Sequence, residues 1–176
     1  HPRFFEIQRC PDTESIRILA VGTLGQGKGT DLLLKALDLI KNDRAFSLTL
    51  VGGAAPAVIE SLRAETSSDL WPRITIHQHL TSSEIAVELS RSTLLAHPTR
   101  VDNSPNSVKE AAVAGVPVVA SDVGGIPDYI THGKNGLLCP AGDLKALEHS
   151  LREALTHPLF AQGKVDAATW EAVRDY

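Results

Sequence analysis

Ile18-Leu19-Ala20-Val21-Gly22-Thr23-Leu24-Gly25-Gln26-Gly27-Lys28-Gly29-Thr30 joins three pieces that decide the fold. An apolar run ends in a glycine-rich turn, and Thr30 is placed to cap the amphipathic stretch Asp31 to Lys41. The same strand-then-helix unit recurs along the chain. Phe46 to Val51 closes on Gly52-Gly53, and Pro56 opens a helix through about Arg63. Arg73 to His77 follows as a third strand, and Thr81-Ser82-Ser83-Glu84 has the spacing of a capping box for a helix through about Ser90. Thr93 to Ala96 is the fourth strand. The loop Pro98 to Pro105 then feeds a short helix, Asn106 to Ala114, stopped by Gly115. Val116-Pro117-Val118-Val119-Ala120 reads as a buried strand and Gly124-Gly125-Ile126-Pro127 as a helical turn. Gly136-Leu137-Leu138 closes the set of strands, and Asp143 caps a helix through about Leu155.

Parallel strands need crossover connections, and six such units predict an α/β fold, a Rossmann-like doubly wound parallel sheet covered on both faces. Residues 16–165 form this domain, 1–15 read as the remnant of an interdomain linker, and 166–176 as the start of a crossover helix. The chain does not begin with Met and contains none, so it reads as a piece of something longer. Ligands of doubly wound sheets sit beyond the carboxyl ends of the strands, near the switch in strand order. The loops after Val21, His77, Ala96 and Ala120 are the places where chemistry is expected.

Composition narrows the function. With 176 residues, 43% hydrophobic and 22% charged, the chain has the apolar content for one well-filled core. Seventeen Lys and Arg against 21 Asp and Glu give a net charge of −4, with no basic cluster, which argues against nucleic acid as a partner. Cys10 and Cys139 lie far apart without metal-ligand spacing, which fits a reducing cytosol and a cytoplasmic location. No run approaches the roughly 20 apolar residues of a membrane helix.

The glycine-rich loop nearly spells a nucleotide-triphosphate loop, with Gly22, four residues, then Gly27-Lys28. The next position is Gly29, where a magnesium-binding hydroxyl should stand, and the second strand ends without an acid. A dinucleotide fingerprint fails too, because the glycines fall at 22, 25, 27 and 29. What remains is physical: glycine amides, a helix start and Lys28 together suit an anion such as a phosphate. An ordinary tight turn with an exposed lysine fits the same residues equally well, so the loop alone leaves both readings open.

Asp102 and Glu110 flank Asn103-Ser104-Pro105-Asn106-Ser107-Val108-Lys109. Asp102 lies in the loop, Glu110 on the second turn of the helix that starts at Asn106, and the free amides of that helix start face the same space. The combination suits a sugar nucleotide, with amides for phosphate and carboxylates for hydroxyls, but for an arbitrary acidic pair a turn-forming Asp102 and a solvated Glu110 are the better reading of the residues alone. His77 and His79 share a strand end but lack a third ligand, so no metal is expected there. Trp71 and Trp170 read as packing residues.

In order come Asp102, Glu110, Ala111-Ala112-Val113-Ala114-Gly115-Val116-Pro117-Val118-Val119-Ala120 and Gly124-Gly125. This pattern resembles the C-terminal, nucleotide-binding domain of GT-B glycosyltransferases of family 4, also called group 1. Val21-Gly22 through Lys28-Gly29 is similar to the phosphate loop of that family, Gly133 to Leu138 to its final strand, and His1 to Phe5 to its interdomain linker. The resemblance spans nearly the whole chain and implies one lobe of a GT-B fold.

It implies a retaining transferase that uses a nucleoside-diphosphate sugar as donor and neither metal nor other cofactor. Lys28 would contact the diphosphate, Glu110 the ribose hydroxyls and Asp102 the transferred sugar, these three forming the catalytic set. Gly22, Thr23, Asn103, Ser104, Asn106 and Ser107 would hold phosphate or sugar oxygens, and His79-Leu80 would line the base. The acceptor pocket would belong to an absent N-terminal domain, which leaves room for peripheral contact with the cytoplasmic face of a membrane; polysaccharide or glycolipid biosynthesis would be the setting. Three departures stand out. Thr23 occupies the place of a usual Arg, Asp102 and Asn103-Ser104-Pro105-Asn106 replace a Glu and a Phe-Gly turn, and Gln78 replaces a Gly. Thr23 motivates a second reading, a non-catalytic nucleotide-sugar-binding module, and a GT-B sugar-nucleotide epimerase is a third.

Overall fold

The computed structural model describes residues 2–12 and 14–175, so the parts of the linker and terminal-helix readings that fall on His1, Thr13 and Tyr176 lie outside the described residues. The strands are β1 (Ile16–Val21), β2 (Phe46–Val51), β3 (Ile74–His77), β4 (Leu94–His97), β5 (Val118–Ser121) and β6 (Gly136–Cys139). Between and after them run α1 (Thr30–Ile40), α2 (Pro56–Ala64), α3 (Ser82–Arg91), α4 (Asn106–Ala114), α5 (Leu144–Thr156) and α6 (Ala167–Arg174). All five strand pairings are parallel, in the order β3-β2-β1-β4-β5-β6. The chain therefore starts at the middle of the sheet, winds outward to β3 and returns to the other side of β1, which puts the switch point between β1 and β4.

Alternation along the strands sends successive side chains to opposite faces. Ile18, Leu94 and Val119 join a core with Leu33, Leu37 and Ile40 of α1, Leu62 of α2 and Leu151 and Leu155 of α5. Their neighbours Leu19, Leu95 and Val118 join a second core with Leu89 of α3, Val108 and Ala111 of α4, and Phe4. Each fully buried Leu or Ile contributes about 1.5–3 kcal/mol, so the two faces together hold the sheet. The segment before β1 lies against the second face. Phe4 is buried there, Cys10 N donates to Ser90 O at 2.9 Å, and Arg9 donates to Ser92 O at 2.7 Å and Gly163 O at 2.8 Å.

Several local expectations hold in detail. Thr81 and Glu84 form the reciprocal capping box of α3, Asp143 caps α5 by accepting from Ala146 N at 3.0 Å, and Gly115 ends α4 at φ 72°. Trp71 Nε1 donates to Thr66 Oγ1 and Trp170 Nε1 to Val113 O, both at 3.0 Å, and both rings pack as read.

Thr30 does not cap α1. Gly29 takes the N-cap position at φ 71°, a left-handed conformation, and Thr30 is the first helical residue. Its Oγ1 turns back and accepts from Gly25 N at 3.0 Å, fastening the glycine loop instead of the helix amides. Strand limits move as well. Arg73 belongs to a 3-10 turn, Trp71–Arg73, built on Pro72. Thr93 stands just outside β4 but reaches β1 through its side chain, where Oγ1 accepts from Arg17 N at 2.9 Å. β4 extends to His97. β5 begins at Val118 because Pro117 has no N–H to give, though its carbonyl still accepts from Leu95 N at 2.9 Å.

Gly29 and Gly133 separate backbone strain from crowding. Both have positive φ, 71° and 78°; a Cβ on Gly29 would run into the Pro98 carbonyl, whereas one on Gly133 meets nothing within 4 Å. Gly133→Ala is expected to cost about 1–2 kcal/mol through φ alone, and Gly29→Ala at least about 2 kcal/mol more through the added clash. Urea unfolding of the two variants checks the difference, and equal midpoints would refute it.

Candidate functional site

Two loops meet at the switch point, one after β1 and one after β4. Close backbone approach joins them at Gly29 and Pro98, and the glycine loop's carbonyls do the rest. Arg100 N donates to Gly27 O at 3.0 Å, Thr99 Oγ1 donates to Gly27 O at 3.2 Å, and the Arg100 guanidinium also reaches Gln26 O. That guanidinium grips Asp31 on the first turn of α1 through both carboxylate oxygens, Nη1 to Oδ1 at 2.8 Å and Nη2 to Oδ2 at 2.7 Å. A bidentate pair of this kind fixes orientation as well as distance. The far side of the β4 loop is seated on Gly124-Gly125. Gly125 N donates to Asn103 O at 2.8 Å, and a Cβ on Gly124, at φ 55°, would strike the Asp102 carbonyl.

Between these supports opens a cleft of about 420 Å³, lined by Gly22, Lys28, His97, Asp102, Ser104, Asn106, Ser107 and Glu110, with Val21, Ile85 and Pro105. α4 starts here without any side-chain cap, behind Pro105, so the amides of its first turn are left for solvent or a ligand. Lys28 Nζ pairs with Asp102 Oδ2. The same oxygen is 3.3 Å from His97 Nε2, while His97 Nδ1 is 3.4 Å from Ser107 Oγ, and Asp102 Oδ1 accepts from Ser104 N at 3.3 Å.

A carboxylate only accepts, so the neutral His97 ring carries its proton on Nε2, and Nδ1 accepts from the Ser107 hydroxyl. Burial holds the His97 pKa below its ordinary value, against the pull of Asp102 and with the help of the Lys28 charge. Burial pushes Asp102 upward, but hydrogen bonds from Lys28 and His97 outweigh it and leave that carboxyl below the usual range. Glu110 goes the other way, because burial raises its pKa and nothing among the described residues hydrogen-bonds its carboxylate. The cleft thus holds two unlike carboxyl groups.

Of the residues singled out from sequence, Gly22, Lys28, Asp102, Ser104, Asn106, Ser107 and Glu110 share this cleft. Thr23 and Asn103 are exposed on the adjoining loops and do not line it. His79 is exposed beyond β3, and Leu80 packs against the second core; neither reaches the cleft. Among the described residues no three His, Cys, Asp or Glu side chains are grouped as a metal site requires. His97 falls between the strand expected to end at Ala96 and the loop expected from Pro98, and its place at a strand's carboxyl end, five residues before Asp102, is the signal that points to it. The Arg100–Asp31 pair spans 69 residues and left no local trace.

Residues 15–157 match the family model described as glycosyl transferases group 1. The chain belongs to the group 1 glycosyltransferases. A glycogen synthase of Mycobacterium tuberculosis is 24% identical over 168 residues, covering 96% of this chain and 41% of that protein. Sucrose-phosphate synthase from Thermosynechococcus elongatus superposes with a TM-score of 0.81 at 25% identity, over 97% of this chain and 46% of the other. Anabaena HepE, solved in complex with UDP and glucose, superposes with a TM-score of 0.78 at 21% identity, over 92% and 44%. This glycosyltransferase chain therefore spans less than half the length of those relatives and has the fold of one GT-B lobe. No described helix is long and apolar enough to cross a membrane.

The cleft gives this transferase lobe a stability that falls with acid. The unfolded chain protonates His97 near the ordinary value of about 6.5 while the folded ring resists, so stability is lost as pH drops below that point. Asp102 adds a second loss at lower pH, as its contribution disappears on falling through its depressed folded pKa. Glu110, raised, acts in the opposite sense just above the ordinary carboxyl range. His97→Gln is expected to flatten the stability profile between pH 7 and 5.5 relative to the native chain. Denaturant midpoints across that range measure it, and parallel profiles would contradict the assignment.

Proposed function

We propose that this chain is the donor-binding, C-terminal lobe of a retaining, metal-independent glycosyltransferase. Its donor is a nucleoside-diphosphate sugar, and its acceptor belongs to polysaccharide or glycolipid biosynthesis. The observation that carries the reading is the meeting, at the carboxyl ends of β1 and β4, of the partly exposed Lys28, an uncapped helix start and two carboxyl groups. Lys28 and the α4 amides sit where a diphosphate would lie, and positive charge fixed there stabilises the departing diphosphate in the transition state. In this reading Glu110, one turn along α4, takes the ribose hydroxyls and Asp102 the transferred sugar; their sharing of one cleft supports it. HepE was solved with UDP and glucose, and the proposal carries that ligand class to this cleft without its particular base or sugar. A second lobe supplies the acceptor pocket, so this chain alone binds nucleotide and transfers nothing. The free thiols of Cys10 and Cys139 support a cytoplasmic setting.

Thr23 favours one alternative. By the family resemblance it stands in the place of a usual Arg, nearby Arg100 is committed to Asp31, and among the described residues no guanidinium lines the cleft beside Lys28. A non-catalytic nucleotide-sugar-binding module would fit that loss. Sugar transfer or donor hydrolysis by the intact parent protein, assayed against a donor panel, rules the alternative out.

Lys28→Ala and Glu110→Ala are each expected to weaken binding of the best ligand among UDP, GDP and ADP by about tenfold or more, the loss of a charge-assisted contact of about 1.5–3 kcal/mol. Isothermal titration calorimetry reads this directly. Unchanged affinity in both variants would overturn the donor reading.

A further inference from the structure

The buried histidine of the cleft has no part in the roles assigned so far. Asp102 Oδ2 receives two donors at once, Lys28 Nζ and His97 Nε2. These donors differ in freedom. The Lys28 side chain is 38% exposed at the end of a flexible stem, whereas that of His97 is 4% exposed at the end of β4. A diphosphate entering between Lys28 and the α4 start competes with Asp102 for the ammonium, and the lysine can follow it. Asp102, whose side chain is only 11% exposed, cannot follow.

We propose that His97 is the positioning residue that keeps the Asp102 carboxylate in place, and takes up a proton in doing so, when a donor diphosphate draws Lys28 away. This rests on the donor reading above. The proton comes from solvent to Nδ1, and the Ser107 hydroxyl turns from donor to acceptor, so the ring becomes an imidazolium hydrogen-bonded at both nitrogens. The charge removed from Asp102 with Lys28 is thereby replaced by one on His97, and a largely buried carboxylate is never left bare. The groups facing His97 support the sign. Lys28 from the β1 loop opposes its protonation and departs, Asp102 from the β4 loop favours it and stays, and Glu110 lies across the cleft on α4. α3 contributes only the apolar Ile85.

Long-range proton–nitrogen spectra of the imidazoles report both tautomer and charge, with His97 assigned through its connection to its own backbone amide. The free chain is expected to show the neutral Nε2–H form at pH 7. Saturation with whichever of UDP, GDP or ADP binds is expected to move the His97 titration midpoint upward. Calorimetry in buffers of different ionisation enthalpy should show fewer protons taken up by His97→Gln than by the native chain, because glutamine keeps an N–H for Asp102 but cannot titrate. A midpoint that stays or falls while nucleotide binds, or equal proton uptake in the two chains, overturns the inference and leaves the donor reading standing. If none of the three diphosphates binds, the donor reading fails and this inference fails with it. The spectra of the native chain decide the matter even if the variant does not fold.

Discussion

The grip of Arg100 on Asp31 ties the two halves of the doubly wound sheet at the point where they diverge. β1 and β4 are neighbours in the sheet but far apart in the chain, and their loops leave in different directions. One guanidinium reaches from the β4 loop to both carboxylate oxygens on the first turn of α1, and its backbone amide holds the glycine loop. Asp31 is buried and its carboxyl is kept below the usual range: burial acts upward, and Arg100 outweighs it. A pair this partly exposed adds little net stability, yet its fork geometry fixes how the β4 loop lies against the start of α1. Gly29 against Pro98, and Gly124 against Asp102, are the close approaches that let the loops sit there.

Within that frame four polar side chains of the cleft satisfy one another. Lys28, Asp102, His97 and Ser107 form a chain of donors and acceptors, so neither Lys28 nor Asp102 is left without a partner. Such networks are stable only when every member is partnered. Any anion that recruits Lys28 must therefore be answered elsewhere in the chain of hydrogen bonds. Glu110 stands apart from this network on α4, with its carboxyl raised by burial, and remains open to a partner that brings its own donors.

Much of this was legible in the residues. The alternation of apolar runs, glycine turns and capped amphipathic stretches is a local property, and it read out six parallel strands and the capping of α3 and α5 correctly. Thr30 misled because a hydroxyl before an amphipathic run ordinarily caps it, whereas the close approach of Pro98 makes Gly29 the cap and turns the threonine inward. Pro117 set the start of β5 through a missing N–H that apolar content conceals. In the cleft, Lys28 and Asp102 were visible as charged residues in glycine and proline loops, and Glu110 through its spacing from Asp102 in the family resemblance. His97 was not visible, because its signal is a position at the carboxyl end of a central strand and not a pattern.

The amino-acid sequence by itself determined the doubly wound architecture, the family and the residue types available for binding phosphate and hydroxyls, since periodicity, turn chemistry and the spacing of Asp102 and Glu110 are local along the chain. Only the tertiary structure decided which of those residues share one cleft. It put His97 under Asp102 and Arg100 on Asp31, and it kept Thr23, His79, Leu80 and Asn103 off the cleft lining. The physical reason is that membership of the cleft is settled at the switch between β1 and β4, where parallel pairing and loop packing set which side chains come within reach, and no local pattern records that packing.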